Sequence, residues 1–204
     1  MKKKPDNEKE AFLQIIQTQK EEILKLQDLL VDRLTDTIKE AEDWKKLCPY
    51  HLKTDKKERL LLAKIIKGTA DRFYPLAARL GVQIQIFAEN YELYVYASEK
   101  HMCRIFENIL DNSLKYMNRQ GVISIILSEF DDSLFLVIKD NGIGLKNEET
   151  KKIFDKFYQG ENRIAGMGLG LAQVKEIVEF YHGSVYAKSE HGKGMAIYIN
   201  MEKG

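Results

Sequence analysis

Between Glu8 and Leu47 the chain has no glycine and no proline, and apolar residues recur as Phe12, Ile16, Ile23, Leu26 and Leu30, at spacings of 4, 7, 3 and 4. This is a heptad seam, the pattern of a helix that packs along another helix. Gln19 takes one core position, and the later steps Leu34, Ile38 and Ala41 form a stutter that locally unwinds a supercoil. At 1.5 Å per residue this stretch makes a rod of about 60 Å. So long a helix cannot bury its stripe on itself, so a homodimer through this N-terminal helix is expected, with a helix packed on its own domain as the alternative.

Pro49 ends the first helix, and a second amphipathic stretch runs from Leu60 to Leu80 with Gly81 at its C-terminal cap. Pro75 should kink or interrupt it. The period then changes. Val82, Ile84 and Ile86 alternate with polar residues, as do Leu93 and Val95, which predicts two strands separated by a turn at Glu89-Asn90. Ser98 is placed to cap a helix from about Glu99 to Tyr116. Strands are predicted over Gly121–Glu129 and Ser133–Lys139, helices near Glu148–Phe157 and Leu169–Tyr181, and strands over Ser184–Ser189 and Met195–Met201. Grouped strands flanked by helices argue an α+β sandwich, a mixed or antiparallel sheet with its helices on one face. Three regions result: a helical arm (1–48), a connector with its leading helix (49–81) and a head (82–204).

Composition narrows the class. The 204 residues are 44% hydrophobic and 31% charged, enough apolar content for a real core and against general disorder. Net charge is +1, and the basic excess lies at 48–81, with 8 basic and 3 acidic side chains. No aromatic platform or nucleic-acid motif accompanies it, so that excess reads as a solvated helix face and no nucleic-acid partner is expected. Cys48 and Cys103 lack the paired spacing of a zinc or redox motif, and no apolar run is long enough to span a bilayer. A cytoplasmic chain without membrane contact is expected, standing alone or as the cytoplasmic part of a membrane sensor.

Candidate chemistry lies in the head. Asn108, Asn112 and Lys115 share one side of their helix, while Ile105, Ile109 and Leu114 face the core. Amide oxygens suit a hard cation such as Mg²⁺, and a lysine reaches phosphate. Such asparagines are also ordinary polar surface. Asp140-Asn141-Gly142-Ile143-Gly144 follows a hydrophobic strand; its glycines permit close backbone approach, and its carboxylate can accept from an exocyclic amine. An ordinary turn looks the same. Gly166-Met167-Gly168-Leu169-Gly170-Leu171 opens a helix, where free N–H groups favour phosphate, although it is neither a P-loop nor a Rossmann fingerprint. Between the glycine loops lies the aromatic cluster Ile153–Tyr158, whose plain reading is core packing.

The order and spacing of these motifs resemble the ATP-binding domains of two-component sensor histidine kinases, within the gyrase, Hsp90, histidine kinase and MutL superfamily. The resemblance covers about residues 82–204. It implies a Bergerat-type fold and, residue by residue, a site. Asn112 would hold Mg²⁺ against the phosphates of ATP, with Asn108 nearby, Lys115 on a phosphate and Tyr116 beside the base or ribose. Asp140 would accept from the adenine N6 amino group, and Gly142 and Gly144, with Ile143 between them, would admit the purine. Phe154 to Tyr158, including Phe157, and the stretch through Arg163 would form a short lid. Gly166, Gly168, Leu169, Gly170 and Leu171 would wrap the phosphates. Met195 stands where family members usually carry a threonine near the adenine, so a polar contact is expected to be lost.

ATP-hydrolysing members of the superfamily place a glutamate four residues before the Mg-binding asparagine; here that position is Asn108. The resemblance therefore points to the phosphotransferring branch, which passes the γ-phosphoryl group to a histidine on a dimerisation helix for relay to a response regulator receiver domain. His51, His101, His182 and His191 all lack the acceptor setting. The acceptor helix is expected to lie outside this chain, with an acceptor on another chain as the other possibility. A degenerate nucleotide-binding dimerisation module and an anti-sigma-factor-type serine kinase are the alternatives.

Overall fold

The computed structural model describes residues 52, 55–117, 120–160 and 167–204, all within one compact unit. The heptad arm, Arg163 and Gly166 lie outside them.

Strand β1 (Glu58–Leu61) runs straight into helix α1 (Leu62–Leu80). Strands β2 (Gln83–Ala88) and β3 (Tyr94–Ala97) follow, then α2 (Glu99–Lys115), β4 (Val122–Phe130), β5 (Ser133–Asp140) and the single turn α3 (Asn147–Thr150). Helix α4 (Gly170–Phe180) and the hairpin β6 (Ser184–Glu190) and β7 (Gly194–Glu202) complete the unit. Five strands make a mixed sheet in the order β2-β4-β5-β7-β6, with β2 parallel to β4 and all other neighbours antiparallel. Helices α1, α2 and α4 pack together over one face, so the expected α+β sandwich with helices on one side is what forms.

The two-residue period of the strands builds the core. Ile123, Ile125 and Leu127 on β4, Leu134, Leu136 and Ile138 on β5, and Ile197, Ile199 and Met201 on β7 all turn to the helices and are buried. Helix α2 answers with Met102, Ile105, Phe106, Ile109, Leu110 and Leu114. Phe106 is almost fully buried, and its truncation to alanine would cost about 3–5 kcal/mol.

Three expectations are corrected. Pro75 does not interrupt α1, because it lies on the exposed side, where water can serve the carbonyl it leaves free. Both strands expected around the Glu89-Asn90 turn form, in different sheets: β2 joins the main sheet, and β3 pairs antiparallel with β1 in a separate two-stranded sheet. The helix anticipated over Glu148–Phe157 stops after Thr150 and continues as successive turns, in which Lys152 N–H donates to Glu149 O and Asp155 N–H to Lys152 O. Phe157, at φ +64°, is left-handed and cannot extend a helix. Ser98 occupies the N-cap of α2 without a capping bond from its side chain, and its N–H donates to Tyr181 Oη at 2.9 Å.

Candidate functional site

Asp140 is the fourth inward position of β5, after Leu134, Leu136 and Ile138, so strand parity drives a carboxylate into the core. It is 6% exposed. Its Oδ2 accepts from the Ser113 hydroxyl of α2 at 3.0 Å, and its Oδ1 accepts from the N–H groups of Gly142 at 3.0 Å and Met195 at 3.2 Å. Burial pushes its pKa above the ordinary carboxylate value, and the three donors oppose that rise. Helix α2, the loop after β5 and the start of β7 thus meet on one carboxylate. Its unshared lone pairs remain as acceptors for an exocyclic amine.

The loop after Asp140 is fastened at both ends: Ile143 N–H donates to Tyr116 O at 3.0 Å, and Gly192 N–H donates to Ile143 O at 2.6 Å. A Cβ at Gly142 would collide with the Tyr116 carbonyl. Gly144, at φ +59°, lies against the Glu190 and Gly194 carbonyls. These glycines therefore let backbone meet backbone, whatever room they leave for a ligand.

The other expected residues fall along α2 and at the start of α4. Asn108 Nδ2 donates to Gln173 Oε1 of α4 at 3.1 Å, and Asn108 Oδ1 lies close to Gly170. Asn112 is half-buried, and its side chain makes no hydrogen bond among the described residues. Lys115 is held by Asp111 at 2.7 Å, a contact that a phosphate would have to displace. Tyr116 ends the helix, its ring half-buried. Gly168 O accepts from Phe157 N–H at 3.0 Å, tying the glycine segment to the aromatic one. Tyr158 packs on the core, whereas Phe157 is 62% exposed. Leu169 and Leu171 are buried, so only their backbone is available to a ligand. Met195 meets Asp140 through its backbone N–H, a contact indifferent to the side chain.

Two residues that the motifs did not mark complete the arrangement. Ser113 holds Asp140 and Gln173 holds Asn108; the inward parity of Ser113 on α2 was the only signal for either. His101 cannot be an open acceptor, being 2% exposed with Nδ1 bonded to Tyr181 Oη at 2.7 Å and Nε2 paired with Asp55 at 2.9 Å.

The model of the histidine kinase-, DNA gyrase B-, and HSP90-like ATPase family matches residues 97–204, more than half of the chain, including Asn108, Asn112, Asp140 and Met195. The chain belongs to this family. Among curated relatives, the sensor histidine kinase WalK of Bacillus subtilis is 34% identical over 116 residues, 54% of this chain and 19% of its own length. The sensor protein RprX of Bacteroides fragilis is 32% identical over 152 residues, 72% of this chain and 29% of its own. The chain thus spans less than a third of either relative. Among solved structures, histidine kinase ThkA in complex with response regulator protein TrrA superposes with a TM-score of 0.67 at 17% identity, covering 100% of this chain and 53% of that one. At that identity the likeness speaks for the fold. Family, fold and relatives together support the resemblance to a histidine kinase ATP-binding catalytic domain.

Proposed function

We propose that this chain binds Mg-ATP as the catalytic domain of a sensor histidine kinase and transfers the γ-phosphoryl group to a histidine on a dimerisation helix, for relay to a response regulator. The observation that carries the reading is the buried Asp140, pinned by Ser113, Gly142 and Met195 one loop away from the α2 asparagines and the start of α4. A buried carboxylate with acceptor capacity to spare selects an amine-bearing base, and the free Asn112 amide supplies a hard oxygen ligand for Mg²⁺. When bound, Mg²⁺ neutralises charge on the phosphate oxygens. Asn108 rather than a carboxylate stands one turn before Asn112, so no side chain is placed there to activate water. That absence supports transfer over hydrolysis.

In the transfer, the bond from the terminal phosphorus to the bridging oxygen breaks as a bond to the acceptor imidazole nitrogen forms. ADP departs with the electron pair, and the imidazole proton passes to solvent or a neighbouring base. The work of this chain is to hold the nucleotide in place. A response regulator as partner is supported by the ThkA–TrrA complex, and dimerisation by the heptad arm.

Calorimetric titration of ADP and Mg²⁺ into the chain tests the reading. Binding that disappears in Asp140→Asn and weakens at least tenfold in Asn112→Ala is expected; tight binding retained by Asp140→Asn would overturn the site assignment. Phosphoryl transfer is then read with labelled ATP and an added chain carrying the acceptor helix.

A further inference from the structure

Helix α2 carries more of the site than its two asparagines. Asp140, which marks the base end, is bonded to Ser113 near the C-terminal end of α2. Gly170, the first residue of α4, lies against Asn108, one and a half turns earlier on α2. A nucleotide seated on both must run from Ser113 toward Asn108, with its phosphates pointing to the N-terminal half of α2. Asn112 and Asn108 are four residues apart, and the next position on that line is Arg104.

Arg104 is built into this place. Its Nε donates to Gln173 Oε1 at 3.2 Å, and the same oxygen accepts from Asn108 Nδ2 at 3.1 Å, so one buried amide fixes both side chains. Gln173 is 7% exposed. Two guanidinium groups share a single carboxylate, with Glu107 2.8 Å from Arg72 and 3.9 Å from Arg104, while Asp111 is engaged by Lys115. Arg104 borders an open groove of about 380 Å³ between α1 and α2, lined by Arg72, Phe73, Arg104, Glu107, Asn108 and Asp111, where two guanidinium groups stand beside two carboxylates. A guanidinium with free N–H groups at the far end of a phosphate path suits the terminal phosphate, the one group that ATP has and ADP lacks.

We infer that Arg104, positioned by Gln173, meets the terminal phosphate and sets the preference of the site for nucleoside triphosphate over diphosphate. Gln173 acts through Arg104 and Asn108 and is a positioning residue. The inference rests on the nucleotide-binding reading above.

The test uses the full chain, with Mg²⁺, ADP and the β,γ-imido analogue of ATP, and reads the ratio of the two dissociation constants. In the unmodified chain the analogue binds more tightly than ADP. Arg104→Gln cuts that ratio about tenfold, the size of one lost charge-assisted hydrogen bond, and Arg104→Lys keeps part of it. Gln173→Leu, which keeps bulk but loses the shared acceptor, falls between. A general folding defect weakens both nucleotides together and leaves the ratio unmoved. An unmodified chain that binds both nucleotides equally, or an Arg104→Gln chain that keeps the preference or loses both affinities in parallel, overturns the inference while leaving the nucleotide site standing. Failure of the unmodified chain to bind either nucleotide removes the underlying reading and this inference with it.

Discussion

Asp140 sets a residue-scale conflict between stability and binding. Its burial favours the neutral acid, so keeping it ionised at neutral pH costs folding free energy. Asparagine fits the same place: Oδ1 still accepts from the Gly142 and Met195 N–H groups, and the amide nitrogen can donate to the Ser113 hydroxyl. Toward an exocyclic amine, however, that nitrogen presents a donor to a donor. Asp140→Asn is therefore expected to keep or raise the melting temperature while losing adenine nucleotides, as thermal melts beside calorimetry would show. Gly194 behaves oppositely. At φ +93° and with the Asp140 carbonyl where a Cβ would go, Gly194→Ala should destabilise by about 1–3 kcal/mol or more in urea unfolding, because strain and collision add. The order of asparagines, aspartate and glycines along the chain marked the residues that α2, the loop after β5 and the start of α4 and β7 carry in this candidate site. Their partners were not, since Ser113 and Gln173 act through tertiary approach of α2 to β5 and α4, which no local pattern encodes. The backbone bond from Met195 to Asp140 is likewise tertiary and stands apart from the side-chain contact expected to be lost there.

The elements were legible where one face is strictly periodic. Helix α2 and strands β4, β5 and β7 formed within a residue or two of their expected limits, whereas the β1–β3 pair and the turns after Thr150 depend on long-range pairing and on a left-handed Phe157. One junction of elements was invisible in sequence. Asp55 before β1, His101 on α2 and Tyr181 after α4 form a chain of bonds, and Tyr181 Oη also accepts from Ser98 N–H. A neutral His101 fits it, with Nε2–H donating to Asp55 and Nδ1 accepting from Tyr181. Burial holds its pKa below the ordinary histidine value, against the pull of Asp55 and with Lys100 and Lys57 adding to the depression. The unfolded chain then takes up this proton first on acidification, so the stability contributed by neutral His101 is complete above about pH 6.5 and drains away as pH falls below it. Melting temperatures between pH 7.5 and 5.5 should fall more steeply for the unmodified chain than for His101→Gln. Tyr181→Phe leaves the Ser98 N–H and His101 Nδ1 without their partner and should cost about 1–3 kcal/mol in urea unfolding.

For the whole molecule, the separate demands of the arm and the head predict separable functions. The spacing of Phe12, Ile16, Ile23, Leu26 and Leu30 is that of a seam for a partner helix, while the head shares one core with β1 and α1 and carries both Asp140 and the α2 asparagines. A charge placed in the seam must be desolvated in every dimer that forms, at a cost of several kcal/mol unless it is paired. Leu26→Asp is accordingly expected to shift the chain from dimer to monomer in sedimentation equilibrium, with nucleotide affinity unchanged within about twofold. A monomeric unmodified chain would remove the arm from the dimer interface. If the variant lost dimerisation and nucleotide affinity together, the two functions would be coupled through the connector, and the Asp55–His101 contact between connector and head would be the first place to look for the coupling.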